Sequence, residues 1–155
     1  MRSGRLSGCA GTGAALLVAT LLVSTPARAS EVAAGVGVDV WTAGNVSALF
    51  SFTADALWTV LPGLELGART GLFFVTGGSL GSSTAGIPLD GQIRGVVGHF
   101  YLEGLVGPWF FFSGTVVRIH VGMGFGYRTG PIRIGAEVAY LDPGAQFGAR
   151  FAFAF

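Results

Sequence analysis

The sequence predicts an all-β chain, an eight-stranded antiparallel up-and-down barrel that crosses a membrane. Three observations predict it. Beyond residue 30, apolar side chains recur at every second position through eight stretches, which is the period of a strand. The charged residues of those stretches share the parity of the small and polar positions, never that of the apolar ones. Finally, the 155-residue chain is 51% hydrophobic and 11% charged, with 27 glycines and no lysine, a poor composition for a surface in water.

Residues 1–29 stand apart from this pattern. Arg2 and Arg5 form a positive n-region, Ala14 to Val23 an apolar core, and Ala27-Arg28-Ala29 a small-residue cleavage site. Together they read as a secretory signal peptide, removed to leave residues 30–155 as one barrel domain. The apolar core is too short for a spanning helix, which needs about 20 residues. Leu6-Ser7-Gly8-Cys9 resembles the lipobox of bacterial lipoproteins, but it precedes the apolar core where a lipobox follows it. Cys9 is therefore expected to leave with the signal, and no thiol or disulfide chemistry remains. Loss of Arg2, Arg5 and Arg28 leaves six arginines against eight acids, a net charge of about −2 with no basic patch. No nucleic-acid partner is expected.

The stretches follow in order. Residues 32–40 place Val32, Ala34, Val36, Val38 and Val40 against Ala33, Gly35, Gly37 and Asp39. After a break at Ala43-Gly44-Asn45, residues 46–60 set Val46, Phe50, Phe52 and Trp58 against Ser47, Ser51, Thr53, Asp55 and Thr59. Pro62-Gly63 is a turn. Residues 64–75 oppose Leu64, Leu66, Leu72 and Phe74 to Glu65, Arg69 and Phe73. A glycine- and serine-rich stretch, 76–86, reads as the longest loop. Residues 87–97 then set Ile87, Leu89, Ile93 and Val97 against Asp90, Gln92 and Arg94, and residues 100–112 set Leu102, Val106, Phe110 and Phe112 against Glu103 and Trp109. In the sixth stretch Val117, Ile119, Val121, Met123, Phe125 and Tyr127 face away from Arg118, His120, three glycines and Arg128. Thr129-Gly130-Pro131 turns the chain into 132–141, where Ile132, Ile134, Val138 and Tyr140 oppose Arg133 and Glu137. Asp142-Pro143-Gly144 turns it again, and Phe147, Ala149, Phe151, Phe153 and Phe155 face away from Gln146, Gly148 and Arg150.

Fourteen charged residues lie beyond the signal; Asp142 falls in a turn and Glu31 at the start, and the other twelve hold the polar parity. A soluble sandwich also alternates, but its charged face meets water and is rarely glycine-rich. Inverting the sheet removes the conflict, with the apolar face in lipid and the small and charged residues in a narrow interior. Strands of 9–11 residues suffice to cross, and only closure satisfies every backbone group in hydrocarbon. Trp58, Tyr127 and Phe155 would form one aromatic girdle, and Phe74, Phe110, Phe112 and Tyr140 the other.

The terminal Gly148-Ala149-Arg150-Phe151-Ala152-Phe153-Ala154-Phe155 resembles the C-terminal signature of outer-membrane barrels, with Phe151, Phe153 and Phe155 as its apolar positions. The stretch 31–155 is similar in topology to the small eight-stranded family that includes outer-membrane proteins A and X. The resemblance implies location in the outer membrane of a Gram-negative bacterium. It implies contact with outer-membrane lipid and lipopolysaccharide, passage through periplasmic chaperones and the barrel-assembly machinery, and a monomeric state. Replacing Phe155 with lysine is expected to leave the chain degraded in the periplasm; normal amounts of heat-modifiable barrel in the outer membrane would refute the assembly reading.

No chemistry stands out. The enzymes on this architecture are lipid A deacylases, with a lipid-facing His-x-Ser pair, and palmitoyltransferases, with polar catalytic residues on outer loops. His120 is followed by Val121-Gly122 and faces inward, His99 falls in a turn, and 76–86 holds neither His nor Asp. No catalytic residue, cofactor or metal site is expected, since two distant histidines without cysteine make no ligand cluster. Gly122, Gly124 and Gly126 lie within a strand, whereas a phosphate loop needs a strand-to-helix turn. They are expected to leave room for arginines from neighbouring strands.

An eight-stranded barrel is only wide enough to be filled by side chains or to hold one small ligand. Arg69, Arg94, Arg118, Arg128, Arg133 and Arg150, with Asp39, Asp55, Glu65, Asp90, Glu103 and Glu137, are expected to fill it with paired charge, His120 among them. Centring the turns on Pro62, Gly98-His99 and Pro143-Gly144 puts Asp55 opposite Arg69, Arg94 opposite Glu103, and Glu137 opposite Arg150. The function expected is non-enzymatic, structural or surface-interacting, behind a closed lumen. The alternatives are a lipid A-modifying hydrolase or acyltransferase and a narrow channel for small solutes.

Overall fold

Alternating strands each bury one face, and an open sheet would leave two unpaired edges. Closure removes both. The computed structural model describes residues 30–77, 83–114 and 116–155, and these form a closed barrel without a helix. Its strands are β1 (Glu31–Ala43), β2 (Asn45–Leu61), β3 (Leu64–Thr76), β4 (Thr84–Val97), β5 (Phe100–Phe111), β6 (Val117–Thr129), β7 (Ile132–Leu141) and β8 (Gly144–Ala154). Each pairs antiparallel with the next, and β8 closes on β1. The signal-peptide reading and Cys9 fall outside the described residues.

Pro62-Gly63, Gly98-His99 and Gly130-Pro131 turn the chain at one end. Gly63 and Gly98 adopt φ of 77° and 60°, the left-handed region that tight hairpins require and that costs glycine little. Ser30 and Phe155 lie at this same end, where the Phe155 amide donates to Val32 at 2.8 Å and the Ala154 amide to Pro131 at 2.7 Å. The opposite, loop end carries Gly44, Gly77, Ser83, residues 112–114, Val116 and the turn Asp142-Pro143.

The long loop is shorter than the composition of 76–86 suggests. Thr84, Ala85 and Gly86 belong to β4, opposite Val75, Phe74 and Phe73. Gly86 reads as loop in the sequence, yet it sits under the Phe73 ring, where a Cβ would collide. The glycine serves ring packing there rather than a turn.

The faces divide as the alternation requires. Val36, Phe52, Leu72, Leu89, Val106, Val121, Val138 and Phe151, one from each strand, point outward and are about half exposed. Phe74, Phe110, Phe112 and Tyr140 ring the exterior near the loop end, and Tyr127 and Phe155 the terminal end. Trp58 holds the outward parity but is half-buried. Phe100 joins the terminal ring, its own ring centroid 5.4 Å from that of Tyr127.

Inside, the barrel is not filled with charge throughout, which corrects the expectation. Trp41, Leu49, Phe73, Val75, Trp109, Phe111 and Leu141 form a buried apolar plug. Each lies within a few residues of the loop end of its strand, so the inward parity stacks them in one layer. Phe73 sits between Trp109 and Phe111, with ring centroids 4.8 and 4.7 Å away. The Trp41 indole donates to the Leu141 carbonyl at 2.9 Å, so the plug's own polar group is satisfied. Burying such side chains contributes about 1.5–3 kcal/mol each. The charged half of the lumen lies between this plug and the terminal end.

Candidate functional site

The inward charges form two layers. The layer beneath the plug draws one residue from each of six strands: Asp39 on β1, Arg69 on β3, Asp90 on β4, His120 on β6, Glu137 on β7 and Arg150 on β8. Glu137 is its hub. Arg69 donates through Nη1 to Glu137 Oε2 at 2.6 Å and through Nη2 to Oε1 at 3.3 Å, a bidentate fork. Its Nη2 also donates to Asp90 Oδ2 at 3.0 Å. Arg150 donates to Glu137 Oε1 at 3.2 Å and to Asp39 Oδ2 at 2.8 Å. His120 lies between two carboxylates, Nδ1 at 2.8 Å from Asp90 and Nε2 at 3.4 Å from Glu137, with its ring against Trp109 at 4.8 Å. The Trp109 indole donates to Asp90 at 3.1 Å, which ties this layer to the plug.

The second layer lies nearer the terminal end. Arg94 donates through Nε and Nη2 to Glu103 Oε2, at 3.0 and 2.9 Å, and reaches Glu31 at 3.3 Å. Arg133 pairs with Asp55 at 2.9 Å and with Glu31 at 3.3 Å. Glu65 stands 3.7 Å from Arg94 and 3.6 Å from the partly exposed Arg128. The Arg94 guanidinium also lies over the Tyr101 ring, 5.0 Å from its centroid. Charges this deep are tolerated when they are paired and hydrogen-bonded.

Three pairings were expected, and the structure treats them differently. Arg94 and Glu103 are opposite in register and ion-paired. Asp55 and Arg69 are also opposite, but they do not form the expected ion pair. Arg69 spans the lumen to Glu137 instead, and Asp55 takes Arg133 from β7. An arginine is long enough to cross so narrow a barrel, and the bidentate fork on Glu137 outcompetes a single contact to its neighbour. Glu137 and Arg150 are not opposite: Glu137 faces Gly148 and Arg150 faces Gly135. The turn is Asp142-Pro143, with Leu141 opposite Gly144, so the register sits one residue nearer the N-terminus than expected. This shift keeps every side chain on its face, and Arg150 still reaches Glu137 on the diagonal.

Two further expectations are corrected. Glu31, set aside as the chain start, is an inward residue of β1 that accepts from Arg94 and is ion-paired with Arg133. Its odd parity, shared with Asp39, was the available signal. Gly124 and Gly126 of β6 make room for side chains of β5 rather than for arginines, and Gly122 for Ala139 of β7: a Cβ on Gly124 would lie 2.7 Å from a Glu103 oxygen, and Gly126 accommodates the Tyr101 hydroxyl. It is Gly37 on β1 that clears space for an arginine, Arg150.

Arg118 stands apart from both layers. It caps the plug, with its guanidinium 5.2 Å from the Trp41 ring and 5.1 Å from the Phe111 ring, and donates to the Asp142 carbonyl at 2.6 Å. His99 lies in its turn, with one ring nitrogen 3.1 Å from the Arg128 carbonyl oxygen and its ring against Tyr127. Among the described residues, no group of histidine, cysteine and acids has the arrangement of a metal site.

Neither a family model nor a curated protein matches this chain. Solved structures do. A barrel from the de novo design of transmembrane β-barrels is 16% identical with a TM-score of 0.60, over 84% of this chain and 100% of that one. The solution structure of the designed barrel TMB2.3 is 14% identical with a TM-score of 0.45, over 79% and 91%. The KdgM porin in complex with disordered oligogalacturonate is 10% identical with a TM-score of 0.39, over 79% and 99%. The first of these likenesses is one of fold.

Proposed function

We propose that this chain is a non-enzymatic outer-membrane barrel with a closed lumen, and that its role is structural or surface-interacting. The observation that carries the reading is continuous filling: the apolar plug at the loop end, then two charged layers beneath it. A channel needs a polar path through the barrel, and the plug interrupts one. A general base must reach its substrate, and His120 is wholly buried between two carboxylates. In this reading the half-exposed apolar exterior meets outer-membrane lipid and lipopolysaccharide, periplasmic chaperones and the assembly machinery deliver the chain, and it acts as a monomer.

Two measurements test the role. The purified barrel in a planar bilayer is expected to give no unitary current steps, and reproducible steps would establish the channel instead. Lipid A from expressing cells is expected to keep its mass, and a lost or added acyl chain would establish the enzyme.

A third measurement tests the membrane itself. Val121 lies near the middle of β6, half exposed on the outward face between Val106 and Tyr140. Val121→Arg is expected to cost about 2–4 kcal/mol of stability in lipid. At inward Gly122 even alanine should act differently, by crowding, since its Cβ would stand 3.0 Å from that of Ala139. Full stability of Val121→Arg in lipid would mean that this face does not meet hydrocarbon.

A further inference from the structure

Between the two charged layers lies a small, partly open space of about 20 Å³, whose walls include Asp55, Gln92, Arg133, Arg69 and Arg150. Among the described residues, no ion pair or side-chain hydrogen bond joins one layer directly to the other. Three atoms of the wall residues are buried without a partner: Asp55 Oδ1, Gln92 Oε1 and Arg133 Nε. The three residues are 7%, 5% and 3% exposed, so bulk solvent does not serve these atoms. Leaving such atoms unpaired is costly, and native interiors rarely do so.

We propose that this cavity is a binding site for one ordered water molecule, which completes the hydrogen bonding of the layer nearer the terminal end. The volume is sufficient, since a single water needs roughly 10–15 Å³ measured in this way. The chemistry is specific. Gln92 donates its amide to Glu103 Oε2 at 2.7 Å, which orients the side chain and leaves its carbonyl oxygen as an acceptor. The unpartnered set is therefore two acceptors, Asp55 Oδ1 and Gln92 Oε1, and one donor, the Arg133 Nε–H. A water molecule has two hydrogens to give and can accept one, which matches the set.

Ions do not match it. A cation would face the guanidinium groups of Arg69, Arg94, Arg133 and Arg150 in the same wall. An anion would find one free donor, the Arg133 Nε–H, and would leave the two free acceptors, Asp55 Oδ1 and Gln92 Oε1, without a hydrogen to accept. The water is thus a structural ligand at the junction, in contact with Asp55 and Arg133 of one layer and with walls supplied by Arg69 and Arg150 of the other.

The test is a crystal structure of the purified full chain from crystals grown in rubidium bromide, at a resolution that shows ordered water. The expected result is one peak in the cavity, about 2.7–3.2 Å from the three atoms, without anomalous signal at either absorption edge. An empty cavity overturns the proposal. An anomalous peak there, at the bromide or the rubidium edge, replaces the water by an ion and overturns it as well. In lipid nanodiscs, a magnetisation-transfer cross-peak from water to the Gln92 side-chain amide is expected, and its absence at all mixing times would count against the site.

Discussion

Replacing Glu137 with alanine is expected to destabilise the barrel by about 3–5 kcal/mol, because breaking a buried pair strands its partners' charges. Glu137 is 1% exposed and accepts from both Arg69 and Arg150, with His120 Nε2 at 3.4 Å. Its loss leaves three cationic or polar groups facing one another in a lumen without bulk water. The partner assignment adds a discriminating result. In double-mutant cycles, Arg69→Ala should couple strongly to Glu137→Ala, since the two share a bidentate fork. Arg69→Ala and Asp55→Ala should be closer to additive, within about 0.5 kcal/mol, despite being directly opposite. Asp55 should couple to Arg133 instead, its partner at 2.9 Å. Urea unfolding in detergent or lipid vesicles reads all of these. A larger coupling for Asp55 with Arg69 than for Glu137 with Arg69 would show that strand neighbours, not cross-lumen partners, organise the charge.

Phe73→Ala is expected to cost a similar amount, about 3–5 kcal/mol, by a different route. Phe73 is fully buried, flanked by Trp109 and Phe111, and lies over Gly86. Removing the ring opens a cavity that the barrel wall cannot collapse to fill, because the strands are held by their ladders. Phe73→Leu should lose much less, since it keeps most of the volume. The contrast separates packing from charge: salt should leave both Phe73 variants unchanged. A loss below about 1 kcal/mol for Phe73→Ala would mean that the plug is loosely packed and that the loop end is not sealed by it.

Much of this is legible in the sequence. The side-chain period of a strand is two, so parity alone sorts Val121 from His120 and Phe153 from Arg150, whatever the strands pair with. Short turns made two registers legible as well. Centres at Pro62 and at Gly98-His99 give the pairings Asp55 to Arg69 and Arg94 to Glu103; the first hairpin itself turns on Pro62-Gly63, with Leu61 opposite Leu64, and a β-bulge between Thr59 and Leu61 restores the register. Asp142-Pro143-Gly144 admits two centres of the same parity, and no local signal chooses between Asp142-Pro143 and Pro143-Gly144. Both keep arginine and acid indoors, so the hydrophobic pattern cannot decide.

Alternation by itself determined the eight strands, their two faces, and which charges lie inside. Tertiary structure alone decided which charge meets which, and where the apolar inward residues collect. Arg69 pairs with Glu137, 68 positions away on the far wall, because closure brings β3 and β7 within an arginine's length of each other. Trp41, Leu49, Phe73, Trp109, Phe111 and Leu141 share the inward parity of the acids, and nothing in the period separates them from the charges. They form one plug because the stagger of the closed barrel sets their positions at a common height. Period is a property of one strand, whereas height and cross-lumen distance belong to all eight at once.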